Sequence, residues 1–372
     1  MPENYIHIVS FDIPYPPNYG GIIDIYYKIK ALKEEGVKVI LHCFEYGREE
    51  RKELKQVCEK VFYYKRNISK KYLFDTLPYI VVSRSAPELV KNLQKDKYPI
   101  LFEGLHSCFF LDDPKLKERK KVVRSHNIEH DYYENLGKVE HNIFKRYYFF
   151  NEAAKLKSYE SVMKKASAIA AISLNDTNAL SKRYNNVFHV TAFHPFEKIE
   201  VQVKKGNFAL YHGNLGVGEN NEAAIYLIKE IFNDLRIPLV IAGNNPSEEL
   251  EAAAKTGKNI TIKKDISTEE IHELIRTAQI NILPTFQSTG IKLKLLVALY
   301  TGKHCIVNTP MVENTGLESL CHICDSTKKM KREVVRLSKK SFAMDELKKR
   351  EQILKKEFSN QVNVKKLIRL LF

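Results

Sequence analysis

Apolar strand-like segments alternate with helical patterns along this chain of 372 residues. The opening reads as a strand, a Gly20-Gly21 turn, an amphipathic helix ended by Gly36, and a second strand. The alternation restarts at a strand over residues 208–211. Strands that alternate with helices form parallel, doubly wound sheets. Because single cores stop growing at roughly 250–300 residues, the pattern predicts two such α/β domains.

The predicted domain boundaries follow from this restart. We expect a first Rossmann-like domain over residues 1–195, a second over residues 206–340, and a basic helical tail over residues 341–372. The last helix of this tail, residues 363–372, mixes apolar with basic residues and is expected to pack back on the domains. Ligands of such sheets bind at the carboxyl ends of the strands, so two facing sheets would place a cleft between them.

Composition limits the class of protein. No apolar run approaches the ~18–20 residues of a membrane span, and the first residues do not resemble a signal peptide, so a cytoplasmic protein is expected. The six cysteines are scattered and are expected to be reduced. Cys321 and Cys324 form a lone C-x-x-C pair without a second pair at zinc spacing, which disfavours a metal or redox role.

The net charge of +15 is concentrated in a few segments. Residues 328–372 hold 15 Lys and Arg against 5 Asp and Glu, residues 48–71 hold 9 against 4, and residues 144–150 interleave basic with aromatic side chains. Such patches attract anionic surfaces, although solvated helices are the alternative. Since no nucleic-acid-binding signature accompanies the charge, an anionic membrane surface is favoured over nucleic acid.

The segment 284–303 has the chemistry of a phosphate site. An apolar strand ends at Pro284, Gly290 permits a tight turn, and Lys292 and Lys294 fall in the first turn of an apolar helix. The helix dipole disfavours cations at this end, so two lysines there indicate an anion held between the dipole and the ammonium groups. The alternative is a surface helix that carries lysines.

Two segments of the first half follow strands and carry polar or flexible residues. His126, Asn127, Glu129 and His130 cluster after the strand 122–124, which indicates a site rather than a core. The Gly20-Gly21 turn allows backbone N–H groups to approach an anion. It lacks the G-x-G-x-x-G pattern, so a dinucleotide site is not expected.

Four pieces of the sequence, in this order, resemble the retaining family 4 of GT-B glycosyltransferases. They are Pro-x-x-Gly-Gly ending at Gly21, Arg-x-His-Asn-x-Glu ending at Glu129, Gly213-Asn214 with Asn220, and Gly290-Ile-Lys-x-Lys-x-Leu before Gly302. The resemblance covers about residues 5–325 and implies two facing Rossmann-like domains, the second of which binds a nucleotide sugar.

The resemblance also implies roles for individual residues. His126 would lie near the anomeric carbon and the acceptor, and Lys294, with Lys292 second, would neutralise the leaving diphosphate. The donor would be bound by Gly20, Gly21, Gly213, Asn214, Asn220, Gln287, Ser288, Thr289 and Gly290. The acceptor side would hold Asn127, Glu129 and Tyr132. The family usually needs no metal and no cofactor, since the nucleotide sugar is a substrate.

The sequence departs from the family at two positions. Members usually carry two glutamates separated by seven residues, one near the donor sugar and one on the ribose. The aligned positions here are Thr289 and Val297. A valine cannot accept a hydrogen bond from a ribose hydroxyl, so the nucleotide must be held differently or the enzyme is impaired. Gln287, Ser288 and Thr289 could still hydrogen-bond a sugar.

These observations predict a glycosyltransferase that moves a sugar from a nucleotide-sugar donor to a saccharide or lipid-linked acceptor. The expected setting is bacterial cell-surface glycan biosynthesis at the cytoplasmic membrane face, with retention of configuration implied by the resemblance. Three alternatives stay open. They are a nucleotide-sugar epimerase on the same fold, a catalytically impaired binding or partner subunit, and a nucleic-acid-binding protein.

Overall fold

A computed structural model describes residues 4–140, 142–286 and 293–372 of the chain. The described residues form two compact units, one from residues 4–140, 142–195 and 357–372, and one from residues 196–286 and 293–356. In the described part, no helix is both long enough and apolar enough to cross a membrane.

The first domain is built on a sheet of seven parallel strands with helices between them. The strands are β1 (Tyr5–Ser10), β2 (Lys38–Glu45), β3 (Lys60–Lys65), β4 (Ile100–Glu103), β5 (Lys121–Ser125), β6 (Ala168–Ala171) and β7 (Val187–His189). The α-helices are α1 (Gly20–Glu34), α2 (Tyr79–Val82), α3 (Pro87–Leu93), α4 (Glu129–Val139), α5 (Ile143–Tyr159) and α6 (Leu174–Ser181). Short 3-10 helices cover Lys52–Gln56, Lys70–Phe74, Leu105–Phe110, Pro114–Leu116 and Glu160–Lys165.

The strand order of this sheet is β3-β2-β1-β4-β5-β6-β7. β1 pairs in parallel with β2 on one side, Ser10 opposite Cys43, and with β4 on the other, Val9 opposite Phe102. The chain therefore turns in opposite directions from the centre of the sheet, between β1 and β4. In open α/β sheets, this reversal creates a crevice at the carboxyl ends of the two strands.

The second domain contains a six-stranded parallel sheet of the order β10-β9-β8-β11-β12-β13. Its strands are β8 (Ala209–His212), β9 (Leu239–Ala242), β10 (Ile260–Lys263), β11 (Ile280–Ile282), β12 (His304–Val307) and β13 (His322–Ile323). Its α-helices are α7 (Gly218–Tyr226), α8 (Glu248–Lys255), α9 (Thr268–Thr277), α10 (Leu293–Thr301), α11 (Thr309–Val312), α12 (Thr327–Lys339) and α13 (Met344–Ile353). Here the strand order reverses between β8 and β11. A π-helical turn over Leu227–Ile231 extends α7, and a 3-10 turn covers Glu318–Leu320.

The sequence predicted a separate tail over residues 341–372. The structure instead divides this segment between the two domains. Its first helix, α13, belongs to the second domain, because the buried guanidinium of Arg350 donates to the carbonyls of Leu299, Gly302 and Lys303. These bonds satisfy the end of α10, where carbonyl groups have no partner within the helix.

The last helix, α14 (Asn360–Leu371), belongs to the first domain. Ser359 caps its start by accepting a hydrogen bond from the N–H of Val362. Val364, Leu367 and Leu371 are fully buried in the core that contains α1. The prediction that the last helix packs back is confirmed, and its apolar face at helical spacing decides where it packs.

Candidate functional site

A histidine–carboxylate pair lies at the carboxyl ends of β4 and β5. His126 directly follows β5, and Glu103 is the last residue of β4. The Nε2–H group of His126 donates to Glu103 Oε2 at 3.0 Å. Because an ionised carboxylate only accepts, this bond places the proton of a neutral imidazole on Nε2 and leaves a lone pair on Nδ1.

The first turn of α1 lies beside the Nδ1 edge of this imidazole. A Cβ atom added at Gly21 would lie 2.8 Å from the ring of Phe11 and 3.8 Å from His126 Nδ1. The Phe11 ring in turn contacts the His126 ring edge-on, with centroids 5.7 Å apart. Gly21 therefore permits a close approach of the helix start, and the helix N-terminus favours an anion at this point. Among the described residues, none hydrogen-bonds to His126 Nδ1.

A fully buried network of charged side chains is hydrogen-bonded to the carboxylate of this pair. Lys28 Nζ donates to Glu103 Oε2 and to Asp24 Oδ2, each at 2.8 Å. Arg124 also donates to Asp24, with 2.8 Å from its terminal nitrogen to Oδ1. These four charged side chains have no exposed surface. Two cations and two anions thus balance one another inside the sheet.

The network fixes the charge of Glu103. Burial alone would raise the pKa of this carboxyl, but the Lys28 ammonium and the His126 hydrogen bond outweigh it, so the pKa is lowered. Asp24 is likewise held ionised, because the charges of Arg124 and Lys28 lower its pKa against the effect of burial. Removing one partner from such a network typically costs about 3–5 kcal/mol. Glu103 therefore stays anionic and can stabilise a protonated His126.

The same groups include possible metal ligands. Asp24, Glu103 and His126 offer ligand atoms that lie within 4.8 Å of one another. Both carboxylates are already bound by Lys28 and Arg124, so a divalent cation would join two buried positive charges. The cluster fits a metal ion poorly.

The other residues predicted around His126 belong to α4 and its approach. The carbonyl of Asn127 accepts from the Ser125 hydroxyl at 3.1 Å, and Tyr132 packs against Tyr133. Glu129 is buried at the start of α4, and burial raises its pKa to about 8. His130 is paired with a buried glutamate of the following helical segment. A role for Asn127, Glu129 and Tyr132 on the acceptor side stays a prediction.

The second domain brings together the separated residues that the sequence had assigned to the donor. Lys294, in the first turn of α10, donates from Nζ to Asn220 Oδ1 at 2.9 Å. Asn220 Nδ2 donates in turn to the carbonyl of Asn214 at 3.0 Å. A Cβ at Gly213 would lie 3.2 Å from the side chain of Asn220, so the backbone must pass close to that amide. Lys294 also lies 5.2 Å from the centre of the Tyr211 ring.

Three further residues at this end of the sheet were missed in the sequence. The hydroxyl of Thr285 donates a short hydrogen bond to Glu219 Oε1 in the first turn of α7. His212 ends β8, and its buried Nε2 has no hydrogen-bond partner among the described residues. Burial, and then the charge of Lys294, lower the pKa of His212 to about 3. The imidazole is therefore neutral. His212 ends β8, Glu219 lies in the first turn of α7, and Thr285 lies in the loop that follows β11. These positions at the carboxyl end of the sheet were the available signal.

The remaining predicted donor residues lie outside the described part of the chain. They are Gln287, Ser288, Thr289, Gly290 and Lys292. Val297 lies within α10 and is partly buried. It provides no carboxylate at the position where the resembling family carries its second glutamate.

Comparison with known proteins identifies the fold. No family model matches the chain. An uncharacterized 44.6 kDa protein in the cps region of Klebsiella pneumoniae is 29% identical over 329 residues, which cover 84% of each chain. Among solved structures, TarM superposes with a TM-score of 0.69 at 8% identity, over 99% of this chain and 98% of that one.

Two further solved structures agree with this match. An S. aureus TarM mutant in complex with Fondaparinux, alpha-GlcNAc-glycerol and UDP gives a TM-score of 0.68 at 9% identity, over 99% of both chains. A glycosyltransferase from Rickettsia africae gives 0.63 at 14% identity, over 100% of this chain and 98% of that one. The two parallel-sheet domains of the chain thus have the GT-B fold of glycosyltransferase structures.

Proposed function

We propose that this protein is a glycosyltransferase of bacterial cell-surface glycan biosynthesis. It would move a hexose from a nucleotide-sugar donor to a saccharide or lipid-linked acceptor. The observation that carries the proposal is the cluster of Lys294, Asn220, Asn214 and Gly213 at the carboxyl end of the central strands of a GT-B domain. The relative encoded in a cps region supports the biological setting.

Lys294 would act on the leaving group. A nucleoside diphosphate that departs from the anomeric carbon gains negative charge in the transition state, and cations placed in advance stabilise that charge. The Lys294 ammonium stands at the first turn of α10, whose N-terminus adds a favourable dipole. Because these groups supply the stabilisation, we propose a reaction that needs no metal ion.

His126 would act near the anomeric carbon and the acceptor. Its Nδ1 lone pair can accept a hydrogen bond from a hydroxyl group, and the Glu103 carboxylate would stabilise the imidazolium if the proton moved. Asp24, Lys28 and Arg124 would be positioning residues that act through Glu103. Retention of configuration rests on the family resemblance, and the anomeric signal of the product in NMR tests it.

The acceptor is proposed to carry phosphate. A cavity of about 440 Å³ opens at the carboxyl ends of β2 and β3, and its lining holds the cations Arg48, Lys65 and Arg66 together with the carboxylates of Glu45 and Glu49. A lipid-linked saccharide carries a phosphate or diphosphate that such guanidinium and ammonium groups recognise. The same charges would favour the cytoplasmic face of an anionic membrane.

A nucleotide-sugar epimerase is the second candidate. A histidine paired with a carboxylate, as in His126 and Glu103, could exchange a proton with the donor sugar itself. This activity would need no acceptor. It predicts that the protein converts a nucleotide sugar to its epimer in the absence of any saccharide, whereas a transferase would leave the donor sugar unchanged.

The first experiment is a thermal-stability panel with nucleoside diphosphates and nucleotide sugars. A ligand at ~100-fold excess over its Kd should stabilise the native protein by about 2.7 kcal/mol. We expect a shift with one nucleotide in the wild type, its loss in Lys294→Ala, and its retention in Lys255→Ala, an exposed lysine of the same domain. No shift with any nucleotide would contradict the proposal and favour an impaired partner subunit.

A second variant separates binding from transfer. His126→Ala should keep the nucleotide-dependent shift and lose sugar transfer to a mixture of cell-surface acceptors by at least 100-fold, the scale of a general acid–base contribution. Unchanged transfer by His126→Ala would remove His126 from the reaction.

A further inference from the structure

A cluster of nitrogen and oxygen ligands lies at the amino ends of β12 and β13, at the opposite end of the strands from the Lys294 cluster. His304 begins β12, His322 begins β13, and Glu346 lies in the first turn of α13. One ligand atom from each lies within 4.8 Å of the other two. We propose that these three side chains bind a divalent transition-metal ion of the zinc type.

His304 is oriented as a metal ligand. Its ring is 1% exposed, and Nε2–H donates to the carbonyl of Lys340 at 3.2 Å. A carbonyl only accepts, so Nε2 carries the proton and Nδ1 carries the lone pair. Nδ1 is buried and has no hydrogen-bond partner among the described residues. Leaving a buried polar atom unpaired destabilises the folded protein, and a bound ion would offset that cost.

His322 is held in the same way. Its Nδ1 lies 2.9 Å from Glu333 Oε1 in an ion-pair contact, which favours a proton on that nitrogen and leaves the lone pair on Nε2. A histidine that ligates a metal almost always donates its other N–H group to a carboxylate or a carbonyl. His304 already has such a partner in the Lys340 carbonyl, and His322 has the Glu333 carboxylate within reach.

Lys340 is the competitor for this site. Its Nζ lies 2.6 Å from Glu346 Oε1, in a pair whose side chains are 38% and 32% exposed. Exposed ion pairs contribute only about 0–1 kcal/mol, so a divalent ion can displace the ammonium group into solvent. The N–H of Ala343 also donates to Glu346 Oε2, at 3.2 Å, and this bond can remain when Oε1 turns to the ion.

The surroundings indicate the kind of ion. A cavity of about 190 Å³ is lined by the three ligands, by Cys305 and Cys321, and by two cations, Lys349 and Arg350. These cations already donate to backbone carbonyls, Lys349 to that of Ser319 and Arg350 to those at the end of α10. Two imidazoles and a carboxylate beside thiols select Zn²⁺, Co²⁺ or Ni²⁺ over Mg²⁺ and Ca²⁺, which prefer oxygen ligands. Three protein ligands leave a fourth position for water or for the Cys321 thiol. Such an ion would tie two strand starts to α13, which makes its role structural or regulatory.

The test is titration of the full chain, stripped with a chelator, with Co²⁺ and Zn²⁺. We expect one equivalent of Co²⁺ to give visible d–d absorption of a four-coordinate site, and Zn²⁺ to abolish it and raise the melting temperature. His322→Gln and Glu346→Gln should weaken binding at least tenfold. Lys340→Ala should tighten it, since the competing ammonium is gone. His272→Gln, a partly buried histidine of the same domain outside the cluster, is the matched control.

Loss of metal binding in these variants can be distinguished from misfolding and from failure of the proposed glycosyl transfer. His322 and Glu346 are partly exposed, so their amide variants are expected to fold, which circular dichroism checks. Nucleotide-dependent stabilisation should survive in both. Absence of stoichiometric Co²⁺ binding in the wild type, or equal affinity in the wild type, His322→Gln and Glu346→Gln, would overturn the proposal. Sulfur-to-cobalt charge transfer would identify Cys321 or Cys305 as the fourth ligand.

Discussion

At the scale of single residues, the candidate site depends on partners that are distant in the sequence. His126 was visible as one of several polar residues after a strand, but its partner Glu103 stands at the end of another strand. Asp24 and Lys28 are one helical turn apart, a spacing that indicates a surface ion pair as readily as a buried one. Only the order of the strands in the sheet brings these two residues next to Glu103. The sequence therefore predicted the histidine and not the network that controls it.

Glu129 allows a test of how burial acts on one carboxyl. Its pKa is about 8, whereas the ordinary value for a glutamate is 4.5. Between these two pH values, the folded protein keeps a proton on Glu129 that the unfolded chain has released. The contribution of this carboxyl to the free energy of unfolding is therefore fully present below about pH 4.5 and is lost as the pH rises to about 8. Glu129→Gln keeps the shape of the neutral acid, so we expect the variant to be more stable than the wild type at pH 8 by at least about 1 kcal/mol.

The measurement is the free energy of unfolding in urea at several pH values between 5 and 8.5. The difference between Glu129→Gln and the wild type should grow with pH across this range. Glu134→Gln, an exposed position on the same helix, should show no such trend. A pH-independent difference at Glu129 would mean that the carboxyl is not held neutral.

At the scale of elements, α5 exposes an unusual set of side chains. Its first turns present Ile143, Phe144 and Tyr147, which are 79%, 87% and 73% exposed, beside Lys145 and Arg146. Apolar residues interleaved with cations on one helix are typical of a surface that lies on anionic lipid. The basic segment was predicted from the sequence, whereas the outward direction of its aromatic residues required the helix to be placed.

We expect this surface of α5 to bind membranes. The wild type should bind vesicles that contain an anionic phospholipid and should dissociate in high salt, since the attraction of charges is screened. Phe144→Ser combined with Tyr147→Ser should weaken binding at least tenfold without loss of thermal stability, because neither residue is buried. Phe188→Ser, an exposed aromatic residue elsewhere in the same domain, is the control in a vesicle co-sedimentation assay.

The regular elements were predictable where hydrophobic periodicity is strong. The β1-α1-β2 opening lies where the pattern placed it, and β8 (Ala209–His212) lies within one residue of the strand predicted over residues 208–211. β3 (Lys60–Lys65) and β7 (Val187–His189) were missed, because both are edge strands and mix polar or exposed residues with apolar ones. α4 was hidden by the polar residues at its start. Hydrophobic periodicity predicts edge strands poorly, because their exposed or polar residues weaken the apolar pattern that marks a strand.

At the scale of the whole molecule, α14 completes the core of the first domain. Val364, Leu367 and Leu371 are buried there, and burial of such side chains contributes about 1.5–3 kcal/mol each. Their sum is comparable with the total stability of a domain. Deletion of residues 360–372 should therefore unfold the first domain at ordinary temperature, with rapid cleavage of residues 4–195 by a protease as the readout.

The matched control keeps the helix and changes its exposed face. Lys365→Ala with Arg369→Ala alters charge at two exposed positions and should leave the protease pattern of the full chain unchanged. If the deletion variant resisted proteolysis as well as the full chain does, α14 would be an accessory helix and not a part of the core.

The return of α14 to the first domain has a consequence for synthesis on the ribosome. The first domain takes residues up to 195 and then, after the whole of the second domain, the core helix α14. The first part of this domain therefore emerges early but cannot close its core until α14 has been made. During that interval the apolar face of α1 is uncovered, and a chaperone that binds nascent chains would have its longest contact with this part of the protein.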